Sequence, residues 1–290
     1  MIPNKNILVT GANGQLGYSI QKIMPKYNEW TFYLTDVDTL DVGNKRQLTD
    51  FVRLNGIGTI LNCAAYTAVD KAEDDRERCM RINRDATRNI GEVASAYGIN
   101  VIHISTDYVF NGSATSPYRE DDPTDPQSFY GLSKWEGELA LLKVCPDAVI
   151  IRTAWLYSEF GSNFVRTMLR LGKERSEIKV VNDQTGTPTY AEDLAAAMMA
   201  VAGLQPFVTG IFHFSNEGIC TWYDFAVKIM ELANLDCRVF PIQTYEYPTR
   251  AIRPAYSVLD KKKIKQACNL SIPQWEESLK KCLMNNPNIK

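Results

Sequence analysis

The sequence predicts an α/β fold: a doubly wound parallel sheet, followed by a smaller mixed α/β region. Three observations carry this. Short apolar runs alternate with helical stretches through the first half. A glycine-rich turn lies between the first apolar run and the first helix. Beyond Thr153 the strand–helix rhythm loosens while helical stretches continue.

The elements follow in order. Asn6–Thr10 (Asn-Ile-Leu-Val-Thr) is a short apolar run ending at glycines, the pattern of a buried parallel strand. Gly11-Ala-Asn-Gly-Gln-Leu-Gly17 then opens a helix to about Met24. Residues 31–35 form a second strand, closed by Asp36, and residues 45–54 a helix. Residues 59–63 are a third strand, about 76–97 a long helix, and 101–105 a fourth strand. A helix from Phe129 to about Lys143 precedes a fifth strand over 148–152. Strands separated by helices imply right-handed crossovers and a sheet covered on both faces. Ligands of such sheets bind at the carboxyl ends of the strands. The second half carries helices near 162–171, 191–202, 221–234 and 273–283, and Asp260 caps a short helix over the lysines at 261–263. The expected division is a Rossmann-like nucleotide domain over 1–152, to which some later segments return, and a mainly substrate-binding region over 153–290.

The glycine turn falls where a ligand belongs. Glycine permits a tight turn and lets backbone N–H groups approach a pyrophosphate at a helix N-terminus. Three glycines alone also suit a structural turn; the strand before and helix after favour dinucleotide binding. Asp36, at the end of the second strand, is placed to accept hydrogen bonds from an adenosine ribose. Its charge opposes a 2′-phosphate and leans towards NADH, with NADPH left open. Tyr130 and Lys134 stand four residues apart, one turn apart on one helix face. An ammonium beside a phenol favours the phenolate, so Lys134 is expected to lower the Tyr130 pKa. Such a tyrosine can pass a proton to a carbonyl oxygen while hydride reaches the carbon.

Composition narrows the alternatives. A formal net charge of −2 gives no electrostatic reason for nucleic acid or an anionic membrane as partner. No apolar run approaches the ~20 residues of a membrane span. The start of the chain shows no signal peptide, so a cytoplasmic protein is expected. Seven scattered cysteines form no Cys-x-x-Cys and read as reduced, buried thiols. The two histidines, His103 and His213, lie in apolar alternation and read as structural. A His-based triad or zinc site is not expected on that basis, leaving tyrosine, lysine or carboxylates to handle protons.

The glycine turn, Asn62-Cys-Ala-Ala-Tyr-Thr-Ala-Val-Asp70, Ser105-Thr-Asp-Tyr-Val-Phe110 and Tyr130-Gly-Leu-Ser-Lys134 form a set. Arg152-Thr-Ala-Trp-Leu-Tyr157, Asn163-Phe-Val-Arg-Thr-Met168, the segment 181–190 and Arg253-Pro-Ala-Tyr-Ser-Val-Leu-Asp260 extend it. Over nearly its whole length the chain resembles the dTDP-4-dehydrorhamnose reductase family of the extended short-chain dehydrogenase/reductase superfamily.

The resemblance implies an NADPH- or NADH-dependent reductase of a dTDP-linked 4-keto-deoxysugar. It implies that Gly11, Asn13, Gly14, Gln15 and Leu16 cradle the pyrophosphate, that Asp36 meets the adenosine ribose, and that Asp41 and Val42 flank the adenine. Ala64, Ala65 and Tyr66 would line the cofactor. Thr106 would hydrogen-bond the keto oxygen, Tyr130 donate the proton, and Lys134 bind the nicotinamide ribose. Asp107, Asn111 and Trp155 would touch substrate. Arg253, with Arg250, suits a nucleotide diphosphate, and both also suit a surface loop; Trp155 also suits a core.

Some members resembled are magnesium-dependent dimers. Their metal is held by a glutamate of the first helix and an acidic residue near Tyr190. Ser19 stands where that glutamate would fall, so no metal site is expected, and either a monomer or a homodimer is compatible. Glu192 and Asp193 fit a favourable first helical turn. Two other readings stay open: another nucleotide-sugar 4-keto reductase or epimerase, and a non-catalytic regulatory subunit of the methionine adenosyltransferase type.

Overall fold

The structure, a computed structural model, describes residues 5–285. Its centre is a six-stranded parallel sheet. Five strands come from the first half: β1 (Asn6–Thr10), β2 (Thr31–Leu34), β3 (Thr59–Asn62), β4 (Asn100–Thr106) and β5 (Val149–Thr153). The sixth, Gly210–His213, arrives from the second half and pairs with β5. The order is Gly210–His213, β5, β4, β3, β1, β2.

Period-two alternation divides the strands between two cores. Ile7 and Val9 of β1, Ile102 of β4 and Ile151 of β5 face α1 (Gln15–Ile23) and the helix Ala191–Ala202. Leu8, Ile60, Val101 and Ile150 face the opposite way, against α2 (Lys45–Leu54) and the helices Ala86–Tyr97 and Phe129–Val144. Strands buried on both faces explain the continuous apolar runs in the sequence.

The long helix expected over 76–97 is broken. Arg76–Met80 and Ala86–Tyr97 flank a π turn at Arg81–Asp85. The side chain of Asn83, fully buried in that turn, accepts from Tyr66 N at 2.8 Å and donates to Tyr66 O at 3.1 Å and Ser133 Oγ at 2.8 Å. The Asn83 carbonyl presses on the Tyr130 helix: a Cβ on Gly137 would lie 2.2 Å from it. These are tertiary contacts, which helical periodicity does not encode.

The second half builds its own core around Tyr157, Met168, Ile178, Phe225, Ile229, Trp275 and Leu279. It also holds a parallel pair that sequence periodicity missed, Glu177–Val181 with Arg238–Ile242. Pro241 lacks an N–H for a ladder and so hides the second of these strands. Among the described residues no helix is long and apolar enough to cross a membrane. All seven cysteines are free thiols, five of them buried.

Candidate active site

The chain leaves β1 for β2 on one side and reaches β3 on the other, so the strand order switches direction between β1 and β3. A crevice opens there, outside the carboxyl ends of the strands. Gly11 turns the chain at φ +64°, and a Cβ there would lie 2.7 Å from Ala64 N in the loop after β3. Gly14 starts α1 with no side-chain cap, and no acidic residue follows in the first turn. The leading N–H groups of α1 are therefore left for an anion. Asp36 meets this turn, its carboxylate accepting from Asn13 N at 3.0 Å and Val37 N at 2.8 Å. An uncapped helix start, a turn closed to a Cβ at Gly11 and an anchored carboxylate beside them fit a dinucleotide. Gly11→Ala is expected to cost on the order of 1–2 kcal/mol from its positive φ alone. Cofactor affinity should drop at least about tenfold, measurable by fluorescence titration with reduced nicotinamide nucleotide.

The cleft has a volume of about 560 Å³ and gathers Gly11, Asn13, Gly14, Gln15, Leu16, Ala65, Thr106, Asp107, Tyr130, Lys134 and Trp155. Register explains part of this convergence: Thr106 ends β4 beside Thr153 of β5. Ser128 caps the helix Phe129–Val144, its hydroxyl accepting from Gly131 N at 3.2 Å, which sets Tyr130 in the first turn. Thr106 Oγ1 lies 2.9 Å from Asp107 Oδ1 and accepts from Tyr108 N at 3.2 Å. Burial pushes the Asp107 carboxyl up to about 7, against the pull of the Thr106 hydrogen bond.

Lys134 is buried and points down to the sheet. Its Nζ donates to Ile104 O at 2.7 Å and lies 3.3 Å from His103 Nε2. Burial lowers the ammonium to about 8, against the favourable charge of Glu138. The expected lowering of the Tyr130 pKa is not found. Burial raises that phenol above its ordinary value, and the Thr106 hydrogen bond opposes the rise. The spacing placed both groups on one face, but the hydrogen bond of the lysine runs to a backbone carbonyl and not to the phenol.

His103 is the neighbour that sequence reasoning did not connect to the site. Its Nδ1 lies 2.8 Å from Asn62 Nδ2, and Asn62 Oδ1 accepts from Thr10 Oγ1 at 2.7 Å. A buried polar chain thus crosses β4, β3 and β1 beneath the cleft. Burial and the Lys134 charge hold His103 neutral. The available signal was polar residues at matched positions of otherwise apolar neighbouring strands. His213 lies apart, with Nδ1 3.1 Å from Tyr118 O.

Ala64, Tyr66, Asp41, Val42 and Asn111 fall outside the cleft lining. Ala64 backs the glycine turn, and Tyr66 is clipped by Asn83. Asp41 Oδ1 accepts from Gly43 N at 2.8 Å, and Val42 packs in the core beneath α2. Asn111 Oδ1 accepts from Ser113 N, Ser113 Oγ and Tyr118 Oη at 3.1, 2.8 and 2.9 Å. Its carbonyl is committed to its own loop. Trp155 lines the cleft at φ 49° and stacks on Trp222, ring centroids 3.6 Å apart.

Beyond that stack lies a second cavity of about 540 Å³, which the sequence did not reveal. Phe164, Met168, Trp222 and Tyr247 line it, with Arg175 and Arg253. Arg253 is held from both sides: Nη2 donates to Asp70 Oδ2 at 2.7 Å and Nη1 to Tyr108 Oη at 3.2 Å. Tyr108 also lines the first cleft, so one hydrogen bond joins the two cavities. Arg250 pairs with Asp74 at the surface.

A family model described as the RmlD substrate binding domain matches residues 5–287. The chain belongs to this family. A dTDP-4-dehydrorhamnose reductase of Aggregatibacter actinomycetemcomitans is 39% identical over 285 residues, covering 94% of this chain and 97% of that one. The spore coat polysaccharide biosynthesis protein SpsK of Bacillus subtilis is 40% identical over 277 residues, covering 96% of each. The crystal structure of a Bacillus anthracis dTDP-4-dehydrorhamnose reductase in complex with NADP superimposes with a TM-score of 0.92 at 39% identity. It covers 97% of this chain and 99% of that one. The family resemblance and the Rossmann-like fold expected from the sequence are both borne out.

Proposed function

We propose that the chain reduces the 4-keto group of dTDP-4-dehydro-L-rhamnose, giving dTDP-L-rhamnose, with NADPH or NADH as reductant. One observation carries this beyond family membership: the glycine turn and the Thr106–Tyr130–Lys134 group face a single cleft. The reduced nicotinamide, when bound, supplies the hydride. The glycine turn and the start of α1 hold the pyrophosphate, and Asp36 takes the adenosine ribose. Thr106 and Tyr130 stabilise the charge that develops on the keto oxygen, and Tyr130 gives it a proton. A donor must hold its proton at neutral pH, which burial ensures for Tyr130. Lys134 holds the nicotinamide ribose. Asp107 and Trp155 bound the sugar. The second cavity, apolar and edged by arginines, takes the nucleotide, with Arg253 on the diphosphate.

The test mixes purified protein with dTDP-4-dehydro-L-rhamnose and each reduced cofactor, following loss of nicotinamide absorbance. Formation of dTDP-L-rhamnose supports the proposal. Bound but unoxidised cofactor would point to another keto sugar or to a regulatory role. The ratio of the two cofactors reports on Asp36.

A pH dependence follows from Lys134. Its ammonium is the stronger donor to a ribose hydroxyl, and burial has lowered its pKa to about 8. Protonated Lys134 is therefore lost as pH rises through about 8, well below an ordinary lysine. The kcat/KM for reduced cofactor should fall across that range, while Tyr130 keeps its proton. A profile flat to about pH 10 would remove Lys134 from cofactor binding.

A further inference from the structure

Magnesium, which the family resemblance brings with it, can be tested against the residues present. The two elements named for the metal are the first helix and the start of the helix after Tyr190. Here they meet through a lysine. Lys22 of α1 places Nζ 2.6 Å from Glu159 Oε1, 2.8 Å from Glu192 Oε2 and 3.3 Å from Tyr190 Oη. Glu159 and Glu192 are both buried. Tyr190 Oη donates to Glu159 Oε1 at 2.6 Å and lies 3.1 Å from Glu192 Oε2. A second ammonium closes the other side: Lys281 Nζ is 2.9 Å from Glu192 Oε1 and 3.9 Å from Asp193 Oδ1. Asp193 is occupied in addition by Asn216 Nδ2 at 2.8 Å and Ser278 Oγ at 2.5 Å. Ser19, where the helix glutamate would stand, is fully buried and donates to Gln15 O at 2.9 Å. Each oxygen of Glu192 thus meets an ammonium, and no carboxylate projects from α1 at Ser19. The residues do not fit a divalent ion.

We propose that Lys22 stands in for a divalent cation in this chain. Its ammonium neutralises Glu159 and Glu192 and ties α1, whose other end faces the cofactor cleft, to the second half of the molecule. A lysine is covalently fixed to α1, so the joint needs no metal in solution. Buried carboxylates require such a partner, because an unpaired buried charge is strongly destabilising. Lys22 and Lys281 take opposite oxygens of Glu192, Oε2 at 2.8 Å and Oε1 at 2.9 Å. Glu159 Oε2 is buried and accepts no hydrogen bond, so this carboxylate keeps a free lone pair beside the lysine.

The experiment is thermal unfolding of the full chain and of Lys22→Ala, each with EDTA or with millimolar magnesium, manganese or calcium. The wild-type melting temperature should be the same in all four conditions. Lys22→Ala should melt lower in EDTA and regain several degrees with a divalent ion, as binding to the folded state alone requires. Lys22→Met, which keeps most of the apolar stem and removes the charge, serves for the same comparison should Lys22→Ala not fold. A divalent response in the wild type, or in none of the proteins, overturns the proposal. The readout is stability, so it stands apart from whether the proposed substrate is right.

Discussion

Tyr130→Phe is expected to lower kcat by about 10²–10⁴-fold, the range lost when a positioned acid is removed. Cofactor should still bind, because the glycine turn and Asp36 are untouched. The phenol is buried beside Thr106, and its ring meets Tyr108 edge-on at 5.6 Å. Phenylalanine keeps that packing and removes only the oxygen. Thr106→Val should reduce kcat less than Tyr130→Phe, since a proton donor remains. Steady-state kinetics with titration of the reduced cofactor check both variants. Turnover of Tyr130→Phe within tenfold of wild type would take Tyr130 out of the mechanism.

Arg152→Met should destabilise the fold by about 3–5 kcal/mol, the usual cost of stranding a buried charge. Arg152 lies on β5 and Glu138 on the helix carrying Tyr130 and Lys134; both are at most 2% exposed. They form a two-point fork, Nε to Oε1 at 3.0 Å and Nη2 to Oε2 at 2.7 Å. Removing the arginine leaves the buried carboxylate without its hydrogen-bond partner. Against a total stability of about 5–15 kcal/mol this is a large fraction. Glu138→Gln in the Arg152→Met background should recover most of the loss. Urea unfolding of the single and double variants decides it: a cost below about 1 kcal/mol for Arg152→Met would show that the pair is not needed.

The sheet was legible because strands buried on both faces leave unbroken apolar runs, and those runs fell within about a residue of the observed strands. The convergence was legible where chemistry demands a particular residue at a particular spacing: Gly11, Tyr130 and Lys134, far apart in sequence, line one cleft. What stayed hidden depends on contacts between distant segments. Nothing local marks Lys134 as the neighbour of His103, or Asn83 as the clip on Tyr66. The spacing of Tyr130 and Lys134 gave their shared helix face but not where the ammonium points. Asn111 is near the cleft in sequence, and its side-chain carbonyl is turned to its own loop. The second cavity forms between a helix, two paired strands and the loop at Tyr247–Arg253, so no single segment announces it.

The edge strand Gly210–His213 has a consequence for synthesis. A ribosome releases β5 well before this strand, and until then the far edge of β5 has no partner. All five residues of β5 are buried in the finished molecule. An unpaired, apolar edge of this kind invites association with other chains. The nascent protein therefore passes through an interval in which five of the six strands are present and the sheet is adhesive. Fragments ending shortly after Thr153 should precipitate or bind chaperones when expressed, and fragments extending past His213 should do so far less.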